Sequence, residues 1–349
     1  MQGVVTHFSD QEASLSLAAL GWSTFFADQL SPEETSLARM RISAVHRSML
    51  NAVSEVGPVR LSLPSNANIT DFAVGDWGLI DPATHMLVRR LDRQTLLQRR
   101  TEGGRSAQLI AANVDTLFIV TSCNDDFNPA RLERYLVFAN ESGANPVVVL
   151  TKIDQTTDTT PYMEQASALQ RGLAVVMLNA KTPGAARTLA QWVGSGQTVA
   201  LVGSSGVGKS TLLNALASKQ PEDAQLTGSI READAKGRHT TTSRSLHEID
   251  GGGWVIDTPG MRSLQISDVS EGLDMLFAEI VELAPECHFR DCTHDHEPGC
   301  AVQSAIAAGS LDPARLDRWR KLRTENQTST PVLSGPRGNK IPKATGKRR

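Results

Sequence analysis

The sequence predicts an α/β chain in three parts: a small N-terminal β-barrel, a parallel sheet covered by helices on both faces, and a C-terminal helical module. Three observations predict it. Short β-rich runs separated by turn residues crowd residues 38–100. Short apolar runs then alternate with amphipathic helical stretches up to residue 257. Finally, Cys287, Cys292 and Cys300 gather beside several histidines, where the strands have stopped. At 349 residues the chain is also long for one domain.

The elements follow in chain order. Residues 1–37 are weakly patterned, with a break at Ser31-Pro32. Over 38–103, the runs 41–46, 59–63 and 77–80 are β-branched and apolar, and Gly57-Pro58, Pro64-Ser65-Asn66 and Asp81-Pro82 supply turns. About five short strands in so short a stretch suggest a barrel; an OB-type barrel is one candidate, and a β-subdomain with no binding role is the other. From 104 to 270, buried strands are expected at 116–120, 146–150, 174–178, 198–202 and 254–256. Asn128-Pro129 opens a helix that stops near Gly143, and a second helix over 161–171 ends at Gly172. Such alternation implies a parallel sheet with both faces covered. Over 271–323 a helix is expected at 273–284, and Asp312-Pro313 opens another that runs to 323. Residues 324–349 read as a flexible tail. Its end carries Arg337, Lys340, Lys343, Lys347, Arg348 and Arg349 with no acid among them, which suits phosphate contacts.

Composition narrows the classes. The net charge of −3 gives no global basic excess, and no apolar run approaches the ~18–20 residues of a membrane span. No signal-like segment follows Met1, so the expectation is a cytoplasmic protein without a membrane partner. In that compartment three clustered thiols point to a metal before a disulfide.

The strongest chemical motif is Gly203, Ser204, Ser205, Gly206, Val207, Gly208, Lys209 and Ser210, with Thr211 next, between a strand and a helix. This G-x-x-x-x-G-K-[ST] pattern wraps backbone N–H groups and a helix N-terminus around phosphates. Lys209 would reach the β- and γ-phosphates and Ser210 would ligate Mg²⁺. Thr151-Lys152-Ile153-Asp154 ends the strand at 146–150. Asp154 there can accept from both guanine N1–H and N2–H₂, while Lys152 lies along the base. Asn179, Ala180 and Lys181 end the next strand and resemble the loop whose backbone N–H meets guanine O6. Asp257-Thr258-Pro259-Gly260 matches D-x-x-G, so Asp257 would hold Mg²⁺ through water and the Gly260 N–H would meet the γ-phosphate. Between them, Gly237-Arg238-His239-Thr240-Thr241-Thr242 offers a switch-loop threonine for Mg²⁺, with Thr241 preferred to Thr242 and Thr240. These are the elements of a GTPase. Their order places the base loops ahead of the phosphate loop, the reverse of ordinary GTPases, and so describes a circularly permuted domain.

Met261 stands where many GTPases carry the glutamine that orients the attacking water, so unaided hydrolysis is expected to be slow. His239 is the candidate to position that water; packing or RNA contact is its competing role. Arg231, Arg238 and Arg244 are nearby cations, none of them singled out. The spacing Cys287-x₄-Cys292-x-His294-x₅-Cys300 suits one structural Zn²⁺, closed on four protein ligands, with His288 and His296 as rival ligands.

That motif order, with a barrel before and a Cys/His module after, resembles the small-subunit-dependent ribosome biogenesis GTPases, the RsgA/YjeQ family. The resemblance covers residues 38–323. Its carriers are Gly75-Asp76-Trp77, Ala112-Asn113-Val114-Asp115, Thr151 to Asp154, the 203–210 loop, 237–241 and 257–260. It implies an N-terminal OB barrel, zinc on Cys287, Cys292, His294 and Cys300, and binding of the small (30S) ribosomal subunit and its rRNA during late maturation. GTP would be hydrolysed to GDP with stimulation by the subunit, the protein acting as a monomer and then dissociating. Two positions depart from the family pattern, Thr151 for the commoner asparagine and Asn179 for serine, which softens base selectivity. An ATP-dependent metabolite kinase and an RNA-binding module with a vestigial nucleotide site are the competing readings. The guanine-type Asp154 opposes the first, and the intact Lys209, Ser210 and Asp257 oppose the second.

Overall fold

The computed structural model describes residues 15–100, 107–216, 244–249, 251–258 and 266–330. Residues 15–37 hold more structure than their weak patterning suggests. A short helix, α1 (Thr24–Ala27), brings Phe26 into the core, where Leu20 is also buried. The Trp22 ring meets Trp77 edge-on at 4.9 Å. A few large aromatics, rather than a periodic pattern, hold this segment down.

The barrel strands are β1 (Ala38–Val45), β2 (Leu50–Ser54), β3 (Gly57–Leu61), β4 (Trp77–Ile80) and β5 (Leu87–Arg90). β1 pairs with both β2 and β4, β2 with β3, and β4 with β5, all antiparallel. A parallel bridge between Ser62 and Met86 closes the ring after β3. The resulting order, β1-β2-β3-β5-β4-β1, is that of an OB barrel. A register shift between Ile42 and Ala44 kinks β1, so that one strand can serve two neighbours. Met40, Ile42, Leu50, Leu61, Ile80 and Leu87 fill the interior.

β6 (Leu96–Arg100) and β7 (Ala107–Ala112) pair antiparallel and lead into the main sheet. Its strands are β8 (Thr116–Ser122), β9 (Asn145–Thr151), β10 (Ala174–Met177), β11 (Thr198–Val202), β12 (Ser245–Glu248) and β13 (Trp254–Asp257), in the order β10-β9-β8-β11-β13-β12. The five expected strands are all present and mutually parallel. Among the described strands of this main sheet only β12 runs antiparallel, and its sequence does not announce a strand because Leu246 is its one apolar residue. β12 also bonds to β1 through Ala44 and Ser245, so barrel and sheet form one hydrogen-bonded surface.

Alternate residues of each buried strand point to opposite faces. Val148, Leu150, Ala200 and Val202 meet α2 (Pro129–Ser142) on one face. Val147, Val149, Val199 and Leu201 meet the other apolar cluster, which includes Leu189 and Leu212. α3 (Thr160–Ser167) and α4 (Ala185–Thr188) lie in the crossovers, and α5 (Lys209–Leu216) follows β11. α2 has the expected ends: Asn128 Oδ1 accepts from the Arg131 N–H at 3.0 Å, and Gly143 closes it at φ +78°.

The barrel and sheet are welded by the residues that carry the first two sequence signatures. A Cβ on Gly75 would lie 2.1 Å from the Ala112 carbonyl oxygen, so only glycine fits. Asn113, at φ +56°, donates to the Gly75 carbonyl at 2.9 Å and accepts from the Gln94 N–H at 2.8 Å. Buried Asp76 takes two bonds from Arg93, at 2.6 and 2.8 Å. Buried Arg41 donates to Leu20, Asn113 and Thr198. Burial lowers its pKa to about 10 against the pull of Asp115 and Asp76, so it stays cationic at neutral pH.

The C-terminal part departs from expectation twice. The single helix expected at 273–284 is two, α6 (Ser270–Leu276) and α7 (Ala278–Leu283), broken at Phe277, whose ring lies 4.1 Å under the Arg315 guanidinium. After α8 (Ala301–Ala307), α9 (Pro313–Ser329) continues past 323 into the stretch read as tail. Polar tertiary bonds hold that extension: Glu325 accepts from Arg134 and Asn326 accepts from the Val269 N–H at 3.1 Å. No helix among the described residues is long and apolar enough to cross a membrane.

Candidate functional site

The carboxyl ends of β8, β9, β10, β11 and β13 form one edge, where ligand loops of a parallel sheet gather. The loop between β11 and α5 turns on Gly203 (φ +143°), Gly206 (φ +82°) and Gly208 (φ +99°). Gly203 is also a contact requirement, since a Cβ there would sit 2.1 Å from the Val120 carbonyl oxygen. Lys209 arches back over the loop, its Nζ donating to the Gly203 carbonyl at 2.7 Å and to the Ser204 carbonyl. That posture keeps the ammonium above the loop that would receive a phosphate. Ser204, Ser205 and Val207 lie in the loop, and Ser210 and Thr211 in the first turn of α5.

Asp257 ends β13, which pairs with β11 in parallel register. The next residue fastens this end, Thr258 Oγ1 donating to the Leu201 carbonyl at 2.6 Å. Asp257 thus ends the strand next to β11, whose loop leads to Ser210 in α5. At the end of β9, the buried Thr151 hydroxyl lies 3.0 Å from the Thr121 carbonyl and 2.5 Å from that of Val207. Its single proton serves one carbonyl at a time, and either bond ties this strand end to its neighbours. Lys152 follows at φ +54°, and exposed Asp154 lies in the turn Ile153–Gln155. Beside it, Asn179 Oδ1 accepts from the Lys181 N–H at 3.0 Å, folding Asn179, Ala180 and Lys181 into a tight turn. The Leu178 N–H to Leu150 carbonyl bond of 2.9 Å holds the two loops together. Thr151→Val keeps the shape and removes the tether. It should weaken guanine-nucleotide binding by roughly three- to tenfold, about the worth of one hydrogen bond, in a fluorescent-GDP titration.

His239, Thr240, Thr241, Thr242, Gly260, Met261 and the basic stretch 337–349 lie outside the described residues. One contact was not anticipated. Arg131, in the first turn of α2, donates through Nη1 to the Ser204 hydroxyl in the phosphate loop. The Asn128-Pro129 cap marks where α2 begins, but nothing in the residue order says that its first turn faces Ser204.

Far along the chain, Cys287, Cys292, His294 and Cys300 bring one ligand atom each to within 4.8 Å of one another. Cys287 and Cys300 Sγ lie 3.5 Å from His294 Nδ1 and 3.9 Å from each other. A tetrahedral zinc with Zn–S of ~2.3 Å needs ligand separations of about 3.5–3.8 Å, so the donor set fits. His294 reaches in from φ +58°, its carbonyl accepting from Gln303 at 2.5 Å and from Arg320. Burial first, then Arg323, lowers its pKa, which keeps the imidazole in the neutral, metal-binding form. Of the rival ligands, exposed His296 faces Asp295 and His288 packs against Phe289; neither joins the cluster.

A family model described as RsgA GTPase matches residues 90–267. The chain is 64% identical over 337 residues, 97% of either chain, to the small ribosomal subunit biogenesis GTPase RsgA of Mesorhizobium japonicum. It is 49% identical over 311 residues, 88% of this chain and 87% of the relative, to the small ribosomal subunit biogenesis GTPase RsgA 2 of Vibrio vulnificus. Among solved structures it is similar to YjeQ from Thermotoga maritima, at TM-score 0.62 and 26% identity, covering 82% of this chain and 98% of that one. It shares its fold with YloQ, described as a circularly permuted GTPase, at TM-score 0.58 and 24% identity over 85% of this chain and 98% of the other.

Proposed function

This chain belongs to the RsgA GTPase family and hydrolyses GTP in ribosome biogenesis; on that premise we propose that the small ribosomal subunit binds it, switches the hydrolysis on and releases it afterwards. The observation that carries the reading is the gathering of Lys209, Asp257, Thr151 and the Asn179 turn at the carboxyl ends of neighbouring parallel strands.

In this reading Asp154 accepts from guanine N1–H and N2–H₂, with Lys152 along the base and the 179–181 turn beside O6. Lys209 and the loop N–H groups of 203–208 neutralise the phosphates. Ser210, Thr241 and Asp257 would hold Mg²⁺, which supplies charge neutralisation across the β- and γ-phosphates when bound. Water attacks the γ-phosphorus in line, the bond to the β–γ bridging oxygen breaks, and GDP and inorganic phosphate leave. His239 positions that water in the subunit-bound state, and the Gly260 N–H meets the γ-phosphate. One Zn²⁺ on Cys287, Cys292, His294 and Cys300 plays a structural part. The protein works as a monomer in the cytoplasm, contacting rRNA through the barrel, the zinc module and the basic end of the chain.

Single-turnover hydrolysis with purified mature small subunits tests this. The protein alone should be slow and should accelerate markedly with subunits. His239→Ala should lose most of that acceleration while GTP affinity stays within a few fold. Full stimulation of His239→Ala removes the histidine from the mechanism; no stimulation of the native protein removes the subunit from it.

A further inference from the structure

We propose that Arg131 and the Arg134–Glu325 ion pair are positioning residues for the GTPase reaction, through which helix α2 makes the phosphate loop and the C-terminal helix α9 move as one body. The inference rests on the nucleotide site assigned above.

Successive turns of α2 make the connection. Its first turn holds the phosphate loop, Arg131 donating to Ser204. Arg134, one turn on, forms a two-pronged, half-buried pair with Glu325 of α9 at 2.7 and 2.5 Å. Beside it, buried Glu133 accepts from Arg315 at 2.9 Å and Arg318 at 2.8 Å, both on α9. Farther along, a Cβ on Gly272 would lie 2.3 Å from the Val137 carbonyl oxygen, and the Gly272 N–H donates to Glu141 at 2.8 Å. Helices in such contact cannot slip without losing several bonds at once.

The segment that enters α6 bonds to the same carboxylate and its neighbours on α9. The Ile266 N–H donates to Glu325 Oε1 at 3.2 Å. The Val269 N–H then donates to Asn326, and the Asp268 N–H to Thr330 at 2.7 Å. Glu325 therefore accepts both from Arg134 of α2 and from the segment that enters α6. Farther up α9, Arg320 donates to the His294 carbonyl and Trp319 lies 5.5 Å from the His294 ring, so the helix also carries the metal cluster. A phosphate that displaces Ser204 pulls on Arg131 and, through α2, on Glu325. By linkage, fixing α9 from outside must change nucleotide affinity by the same factor.

Amide hydrogen exchange over residues 313–330 of the full-length zinc-loaded protein tests this, with and without a non-hydrolysable GTP analogue. Native protein should show about a fivefold or greater change in exchange when loaded. Arg131→Ala should still bind the analogue yet lose that change, and Arg131→Lys, which keeps a donor toward Ser204, should recover most of it. Arg134→Ala should likewise abolish the change, and Arg134→Lys, which keeps a cationic donor toward Glu325, should recover most of it. Analogue binding with no change in native exchange, or an undiminished change in Arg131→Ala, would overturn the inference alone. No analogue binding by the native protein would overturn the nucleotide site and this inference with it.

Discussion

Cys292→Ser combined with Cys300→Ser will abolish metal binding and unfold the segment around residues 284–312. Its α-helix, α8, spans only seven residues, too short to persist alone. The Cys300 sulfur also accepts from the Gln303 N–H as the N-cap of α8, so its loss strikes a helix end as well as a ligand. Apparent metal-coupled folding energies of ~10–16 kcal/mol in small zinc modules exceed what this sparse core can replace. The damage should stop at α9, because the Arg134–Glu325 and Glu133 bonds hold that helix to α2 independently of the metal. Elemental analysis should find one zinc per native chain and none in the double variant, with exchange rising over 284–312. A native protein purified without chelator and lacking zinc, or a variant with unchanged exchange, would contradict the assignment.

Lys209→Ala should cost on the order of a hundredfold or more in GTP affinity, because it removes a charge-assisted donor from two phosphates at once. Its bonds to the Gly203 and Ser204 carbonyls shape the loop, whereas the core beneath it rests on Val207, Leu212 and Leu216. Melting temperature and zinc content should therefore stay near native while a fluorescent-GTP titration collapses. An affinity within a few fold of native would mean that the ammonium does not face a phosphate.

What could be read in the residue order was what hydrophobicity and spacing encode. β8, β9, β11 and β13 are continuous apolar runs, and buried parallel strands have no other pattern to adopt. The motifs at their ends are contiguous, so each loop could be named before its neighbours were known. What could not be read was held by single long-range polar contacts. β12 has one buried apolar residue and is defined by its partners β1 and β13. The α9 extension looks like tail until Arg134 and Val269 are brought opposite Glu325 and Asn326. Arg131 reads as one more exposed helix charge, although it meets the phosphate loop. The metal ligands were half legible. Cysteine spacing pointed to a cluster, but His294 is separated from His288 and His296 by its left-handed backbone and by the carbonyl bonds that hold it in place.

The central claim is that these strand ends form a guanine-nucleotide site despite their permuted order and a threonine in place of asparagine at 151. Equilibrium affinities for GDP, ADP and xanthosine diphosphate, measured on native protein and on Asp154→Asn, test it most directly. Native protein should prefer GDP over ADP on the order of a thousandfold or more, since adenine offers neither donor that a carboxylate at 154 needs. Asp154→Asn should lose guanine affinity and gain xanthine affinity, because the asparagine amide can donate to the oxygen that replaces the 2-amino group. Equal binding of ADP and GDP by the native protein, or an unaltered preference in Asp154→Asn, would contradict the account.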